Sequence, residues 1–211
     1  HRLPDYEKSY PFYDKFLPHI VKYLPSKSLV IDVGANVGDT LVRMVSSSDK
    51  LNYLCIEATE EFFLDLNKNV ELLKGQNSDL KIDIVKSFVG KDLNNIQLVN
   101  VSERAGTSFA EVGKGSIQSK SLDSILLDLN IDKSSLSLLK IDTDGFDWDV
   151  IRSSNQAISH NPYIFFECFY INNYQFKNYR HVFLELLNLG YTKFAFFDNY
   201  GQFLLSTSSI D

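Results

Sequence analysis

The stretch that most constrains this chain is Leu29-Val30-Ile31-Asp32-Val33-Gly34-Ala35-Asn36-Val37-Gly38-Asp39-Thr40. A branched apolar run bounded by turn residues reads as a strand buried on both faces of a parallel sheet. Glycines end the run, and Leu41-Val42-Arg43-Met44-Val45 continues as a helix. A strand, a glycine turn and a helix N-terminus in succession form a nucleotide-type cradle, because free backbone N–H groups there point at a ligand. A plain strand–turn–helix with two glycines accounts for the same residues, and motifs this short recur by chance.

The spacing narrows the ligand. A dinucleotide fingerprint requires G-x-G-x-x-G, but Asn36 and Asp39 stand where its second and third glycines belong. No G-K-[ST] is present, which excludes a Walker loop. What remains is Asp32-x-Gly34-x-x-x-Gly38, with Asn36 inside the turn. A carboxylate at Asp32 would repel a pyrophosphate and favour S-adenosylmethionine, which carries a sulfonium and an ammonium and no phosphate. Downstream, Asn52-Tyr53-Leu54-Cys55-Ile56-Glu57 reads as a second strand with an acid at its tip. Glu57 lies about 20 positions past the loop, where an acid binds ribose hydroxyls. Glu57, Glu60 and Glu61 would equally suit the positive end of a following helix.

The chain has 211 residues, enough for one sizeable core, and a single domain over 1–211 is expected, with 1–28 as a helical lead-in. Its formal charge of −6 lacks the basic footprint of a nucleic-acid partner. No apolar run is long enough to span a membrane and no signal-peptide pattern is visible, so a cytoplasmic setting is expected. Cys55 and Cys168 both fall in predicted strands and read as buried reduced thiols, with a metal site or a disulfide as the alternative. The chain opens at His1 rather than Met, as a piece of a longer protein would.

In chain order, Asp14 to Leu24 has helical spacing at Phe16, Leu17, Ile20, Val21 and Leu24. The aromatics around it (Tyr6, Tyr10, Phe12, Tyr13, Tyr23) suit packing on the sheet, with a lid or homodimer face as the functional alternative. Glu60 to Lys74 predicts a helix, and Lys81 to Val89 a third strand. The tip of such a strand approaches an adenine, which makes Ser87 and Phe88 candidate contacts; Phe88 suits the core equally well. Lys91 to Lys120, with Gly106, Gly113 and Gly115, predicts an inserted β-hairpin near the acceptor pocket. Ser121 to Leu129 predicts a helix.

Leu136 to Asp142 predicts strand four, followed by Thr143-Asp144-Gly145-Phe146-Asp147-Trp148-Asp149. Ligands of open α/β sheets bind at the carboxyl ends of strands beside the switch in strand order. Asp142 would orient the cofactor there, and Asp144 would face the acceptor. Asp147 and Asp149 suit the first turn of the next helix. Tyr163 to Tyr170 predicts strand five, and a Glu inside it, Glu167, needs a partner or a purpose. As a general base with a raised pKa it would have one. Asn178 to Leu189 predicts a helix, and Tyr191–Phe197 and Gln202–Ser206 a terminal hairpin.

On these motifs the chain resembles the FkbM-family methyltransferases. The matching stretches are V-I-D-V-G-A-N-V-G-D at 30–39, C-I-E-A at 55–58, S-K-S-L-D-S-I-L within 107–126, L-K-I-D-T-D-G-F-D-W-D-V at 139–150, and 164–167. Ala58 departs from the family's usual Pro after the Glu, which loosens a turn without removing a ligand. The resemblance implies a class I, Rossmann-like α/β fold: a seven-stranded mixed sheet, mostly parallel, with a C-terminal antiparallel hairpin and helices on both faces. It further implies S-adenosylmethionine as cofactor and O-methylation of a hydroxyl, often on a sugar, glycan or natural product. The expected cofactor contacts are Asp32, Gly34, Asn36, Gly38, Glu57, Ala58, Ser87, Phe88 and Asp142. Asp144 and Glu167 are the expected catalytic pair, and no metal is expected. The alternatives are a divalent-metal enzyme using Asp142, Asp144 and Glu167 or Asn172, and a non-catalytic scaffold that binds the cofactor.

Overall fold

The computed structural model describes residues 10, 12, 15–91, 96–100, 108–112, 119–168 and 173–208. In order, the elements are α1 (Phe16–Val21), β1 (Leu29–Val33), α2 (Asp39–Ser47), β2 (Asn52–Glu57), α3 (Glu60–Gln76), β3 (Lys81–Lys86) and β4 (Phe88–Val89). Then come β5 (Ile96–Asn100), β6 (Ser108–Val112), β7 (Ser119–Lys120), α4 (Leu122–Asp128), a 3₁₀ turn (Lys133–Ser135) and β8 (Leu136–Ile141). The chain continues through α5 (Asp147–Arg152), α6 (Asn155–Ile158), β9 (Tyr163–Phe166), α7 (Asn173–Asn188), β10 (Phe194–Phe197) and β11 (Phe203–Thr207).

Five strands pair in parallel in the order β3-β2-β1-β8-β9. Strand order therefore reverses between β1 and β8, and the crevice at that switch is where an open α/β sheet takes its ligand. The apolar runs are continuous because both faces are covered. Leu29, Ile31, Val33, Leu54 and Ile56 point into one core with residues of α4, α5, α6 and α7. Val30, Tyr53 and Cys55 point into the other, with Leu17, Leu41, Met44, Leu66 and Val70 of α1–α3. Ile31 and Leu54 are fully buried, which stabilises the fold by about 1.5–3 kcal/mol for each such side chain.

The sheet differs from the expected one at its edges. Among the described residues β10 and β11 pair antiparallel with each other and not with β9, so the main sheet has five strands and the hairpin stands as its own ladder. Strand three stops at Lys86. The Ser87 N–H still bonds the Glu57 carbonyl (3.2 Å), but β4 then leaves to pair with β7. The Asp149 carboxylate holds this departure by accepting the Lys91 N–H at 2.9 Å. A hairpin does lie within 91–120: β5 and β6 pair antiparallel. Strand β9 ends at Phe166, and α7 begins five residues before the expected Asn178. Cys168 consequently falls beyond β9 and is exposed, whereas Cys55 is buried in β2. Tyr6, Tyr13, Phe169, Tyr170 and Asn172 lie outside the described residues. No described helix is long and apolar enough to cross a membrane.

Candidate active site

The loop after β1 is held by its own backbone, by the end of β2 and by α3. Gly34 and Gly38 have φ of +78° and +85°, and Asn36 has +50°, the left-handed region where an L side chain is strained. The Gly34 and Ala35 N–H groups both donate to the Ile56 carbonyl, at 2.9 and 3.1 Å, and Gly38 N–H donates to Ala35 O at 2.9 Å. Asn36 N–H donates to Glu57 Oε2 at 2.8 Å, and Val37 N–H to Asn36 Oδ1 at 2.8 Å. From α3, Asn69 Nδ2 donates to Val37 O at 2.7 Å. The cradle of free N–H groups expected from the sequence is thus absent along 34–38. These donors are already used, which is a stronger reason than repulsion for the loop to refuse a phosphate.

Glu57, at the tip of β2, is buried and two-handed. Besides Asn36, its Oε1 accepts from the Thr59 N–H at 2.7 Å. Each carboxylate oxygen keeps a second lone pair, so a ribose hydroxyl remains a fitting donor. Ala58, beside it, is half-buried. Ser87 is half-buried with its Oγ donating to Phe88 O (3.1 Å). Phe88 is 8 % exposed, and its ring meets Phe146 edge-on at 5.6 Å. Packing takes most of Phe88, and Ser87 is the more accessible of the two adenine candidates.

Asp32 sits beneath the loop rather than in it, at 1 % exposure. Its register partner across β1·β8 is Lys140, and Lys140 Nζ lies 2.8 Å from Asp32 Oδ1. The same ammonium donates to Gly34 O at 3.3 Å and reaches Asp142 Oδ2 at 3.4 Å. Burial raises the Asp32 pKa while Lys140 opposes the shift. Asp32 is therefore not the free charge beside the ligand that its place in the sequence suggests: Lys140 compensates that carboxylate inside the sheet. Lys140 went unnoticed in the sequence, although an isolated Lys in Leu138-Leu139-Lys140-Ile141 needs a counter-charge.

The opposite wall is acidic. Asp142 leaves β8 with its side chain 54 % exposed. Its backbone meets the loop: Asp142 N–H donates to Val33 O at 3.0 Å, and a Cβ on Gly34 would lie 1.9 Å from Asp142 O. Asp144 has φ +51°. Burial, followed by the charges of Asp142, Asp147 and Glu57, pushes its pKa to about 6. Glu167, just past β9, is pushed to about 7 by burial and by Asp142, Asp147 and Asp144. Asp147 lies in the first turn of α5 as expected, but it is completely buried. Its carboxylate accepts from Thr143 Oγ1 (2.9 Å), Thr143 N–H (3.3 Å) and Glu167 N–H (3.1 Å). It thereby ties the end of β8 to the end of β9, and burial, ahead of Asp142, raises its pKa to about 6.

The structure thus brings Glu57, Asp142, Asp144 and Glu167 to one rim, and places Asp32 below it. His160 and His181 are exposed elsewhere. Among the described residues no three His, Cys, Asp or Glu side chains group to hold a metal ion. A rim of acceptors beside a loop whose N–H groups are used suits a ligand that brings hydroxyl donors and positive charge. S-adenosylmethionine has both, so the donor set fits it.

The strand order, with a glycine turn after β1 and an acid at the tip of β2, is that of a class I, Rossmann-like methyltransferase fold. A family model described as the methyltransferase FkbM domain matches residues 32–193, and the chain belongs to that family. The methyltransferase FkbM of Methylobacillus flagellatus KT superposes with a TM-score of 0.55 at 16 % identity, over 80 % of this chain. This chain spans 40 % of that structure's length. A precorrin-6y C5,15-methyltransferase from Geobacter metallireducens GS-15 superposes with a TM-score of 0.51 at 11 % identity, covering 92 % of this chain and 81 % of its own. No curated protein sequence matches the chain.

Proposed function

We propose that this domain O-methylates a hydroxyl of a sugar, glycan or natural-product acceptor in the cytoplasm. The observation that carries the reading is the pairing of Asp144 and Glu167 on adjacent strand ends, with pKa values raised to about 6 and about 7. When bound, S-adenosylmethionine supplies the methyl on a sulfonium, already a good electrophile. The chain's own residues then position the acceptor and remove one proton. Glu57 accepts from the ribose hydroxyls, with Gly34, Asn36, Gly38 and Ala58 shaping the loop around them. Ser87 and the edge of Phe88 border the adenine. Asp142, fixed by Lys140, faces the ammonium or sulfonium, while Asp32 serves beneath as the counter-charge of Lys140. Glu167 takes the hydroxyl proton, because its carboxylate is poised near neutrality, and Asp144 holds the acceptor in line.

The test measures S-adenosylhomocysteine release by the purified chain with sugar, polysaccharide and phenolic acceptors. Cofactor binding is measured by calorimetry on the same preparations. Hydroxyl-dependent release that is lost in Glu167→Gln supports the proposal. Cofactor binding with no release for any acceptor would leave a binding scaffold in its place.

A further inference from the structure

One side chain behind the acidic rim has a chemistry that packing alone does not require. Asp147, the first residue of α5, is 0 % exposed, and among the described residues no cation pairs with it. A buried carboxylate without a cation is costly unless hydrogen bonds compensate it. Here three of them do. Oδ2 accepts the N–H and the hydroxyl of Thr143, and Oδ1 accepts the Glu167 N–H. All three partners are donors, so the position calls for an acceptor on both sides. A carboxylate offers that and an amide does not. The NH₂ of an Asn would be turned either against Thr143 or against Glu167. A Glu, one methylene longer, would overpack a position with no exposed surface.

These bonds fall where the sheet stops holding its own ends. The β8·β9 ladder closes at Ile141 and Phe166, one residue short of Glu167 and three short of Asp144. Beyond it Asp147 takes over. It fixes Glu167 through that residue's own N–H. It fixes Thr143 twice, and Thr143 directly precedes Asp144. The φ of +51° at Asp144 is one that a non-glycine residue keeps when its surroundings impose it. The Phe146 N–H, donating to Thr143 O at 3.4 Å, closes the same turn. One carboxylate thus sets the backbone on both sides of the rim. Such placement matters to rate, because a shift of about 1 Å in a reacting group lowers it on the order of 10²-fold.

We propose that Asp147 is a positioning residue for methyl transfer, a buried clamp that fixes where Asp144 and Glu167 stand relative to each other across the ends of β8 and β9. The inference rests on the reading of Glu167 as the base.

The test follows S-adenosylhomocysteine release with whichever sugar, polysaccharide or phenolic acceptor the parent chain methylates. Asp147→Asn keeps the size of the side chain and turns a donor toward a donor. Its kcat should fall roughly 10²-fold, with the KM of the acceptor and the Kd of S-adenosylmethionine unchanged. Thr143→Val removes one donor and should lower kcat by a smaller factor, and Thr143→Ser, which keeps the hydroxyl, should restore it. Asp147→Asn/Glu167→Gln should be no slower than Glu167→Gln alone, because both changes act on one proton transfer. Where circular dichroism shows Asp147→Asn unfolded, the Thr143 pair decides. The positioning role is overturned, with the base left in place, if Glu167→Gln loses turnover while Asp147→Asn or, failing that, Thr143→Val keeps the parent kcat. It is equally overturned if the loss appears in KM, or if the two defects add in the double variant. Normal turnover by Glu167→Gln, or no release with any acceptor, overturns the reading of the base and this inference with it.

Discussion

The two halves of the strand-end site are built on opposite principles. On the β1–β2 side every N–H from Gly34 to Gly38 has an acceptor, and Glu57 is occupied on both oxygens. On the β8–β9 side burial, and after it the charge of Asp142, raises the pKa values of Asp144, Asp147 and Glu167, and Asp147 adds to the shifts of the other two. The first half is a finished hydrogen-bond network whose shape does not depend on a ligand. The second is electrostatically incomplete and gains from a proton or a cation. A site of this kind can recognise by shape on one side and by charge on the other, and the incomplete side is where we propose the chemistry.

The largest effect should come from breaking the seam between the halves. Gly34→Val puts a branched side chain at a positive φ and against Asp142 O, 1.9 Å from its Cβ. We expect loss of about 3–5 kcal/mol in urea unfolding and no calorimetric binding of S-adenosylmethionine. Normal binding by this variant would place the cofactor elsewhere.

Next in size is the incomplete half alone. Glu167→Gln and Asp144→Asn keep the shape and remove a base or its partner. Each should lower turnover by about 10²–10⁴-fold with cofactor affinity retained. If both turn over normally while His160→Ala or His181→Ala does not, the base is not on this rim.

A smaller effect should follow on the finished half. Glu57→Ala removes the acceptor of the Asn36 and Thr59 N–H groups and the acceptor proposed for the ribose. Cofactor binding should weaken by about 1.5–3 kcal/mol, the scale of hydrogen bonds to a charged group. A drop in unfolding stability without a change in affinity would make Glu57 a loop anchor only.

How legible these halves were in the sequence follows the same division. Local patterns announced the five parallel strands, the glycine turn, the acid at the β2 tip and the hairpin within 91–120. Pairings between remote segments did not announce themselves. Asp32 and Lys140 are register partners across β1·β8, yet more than a hundred residues separate them. Local sequence therefore assigns Asp32 to the ligand instead of to Lys140, and gives Lys140 no role. Asp147 had the spacing of a helix-dipole acid. Its burial depends on how β8 and β9 lie side by side, which no local pattern encodes. The free N–H groups of the cradle were inferred from the glycine turn alone, and the Ile56 carbonyl and Glu57 carboxylate that engage them come from the neighbouring strand. The edges of the sheet were misjudged for a related reason: a strand's apolar run records burial, not which strand it bonds.

The smallest expected effect is a pH dependence that separates the halves without any acceptor. Asp144 moves from 3.8 to about 6, and Glu167 from 4.5 to about 7. Raised carboxylate values mean that the folded state binds more protons than the unfolded state between pH about 4 and about 7. Stability contributed by these groups is therefore full below the unfolded values and is lost as pH rises through the folded ones. Thermal unfolding of the cofactor-free chain should accordingly show a melting temperature that declines as pH climbs toward neutrality. The decline should be shallower in Glu167→Gln and in Asp144→Asn, because an amide cannot ionise. It should also be shallower with S-adenosylmethionine present, since its positive charge lowers the cost of ionised carboxylates on the rim. Glu57→Gln, on the finished half, should alter the slope less than either, because Glu57 acts on it only as the last of three charges that raise Asp144. A slope that ignores Asp144 and Glu167 but responds to Glu57 would reverse the assignment of the two halves.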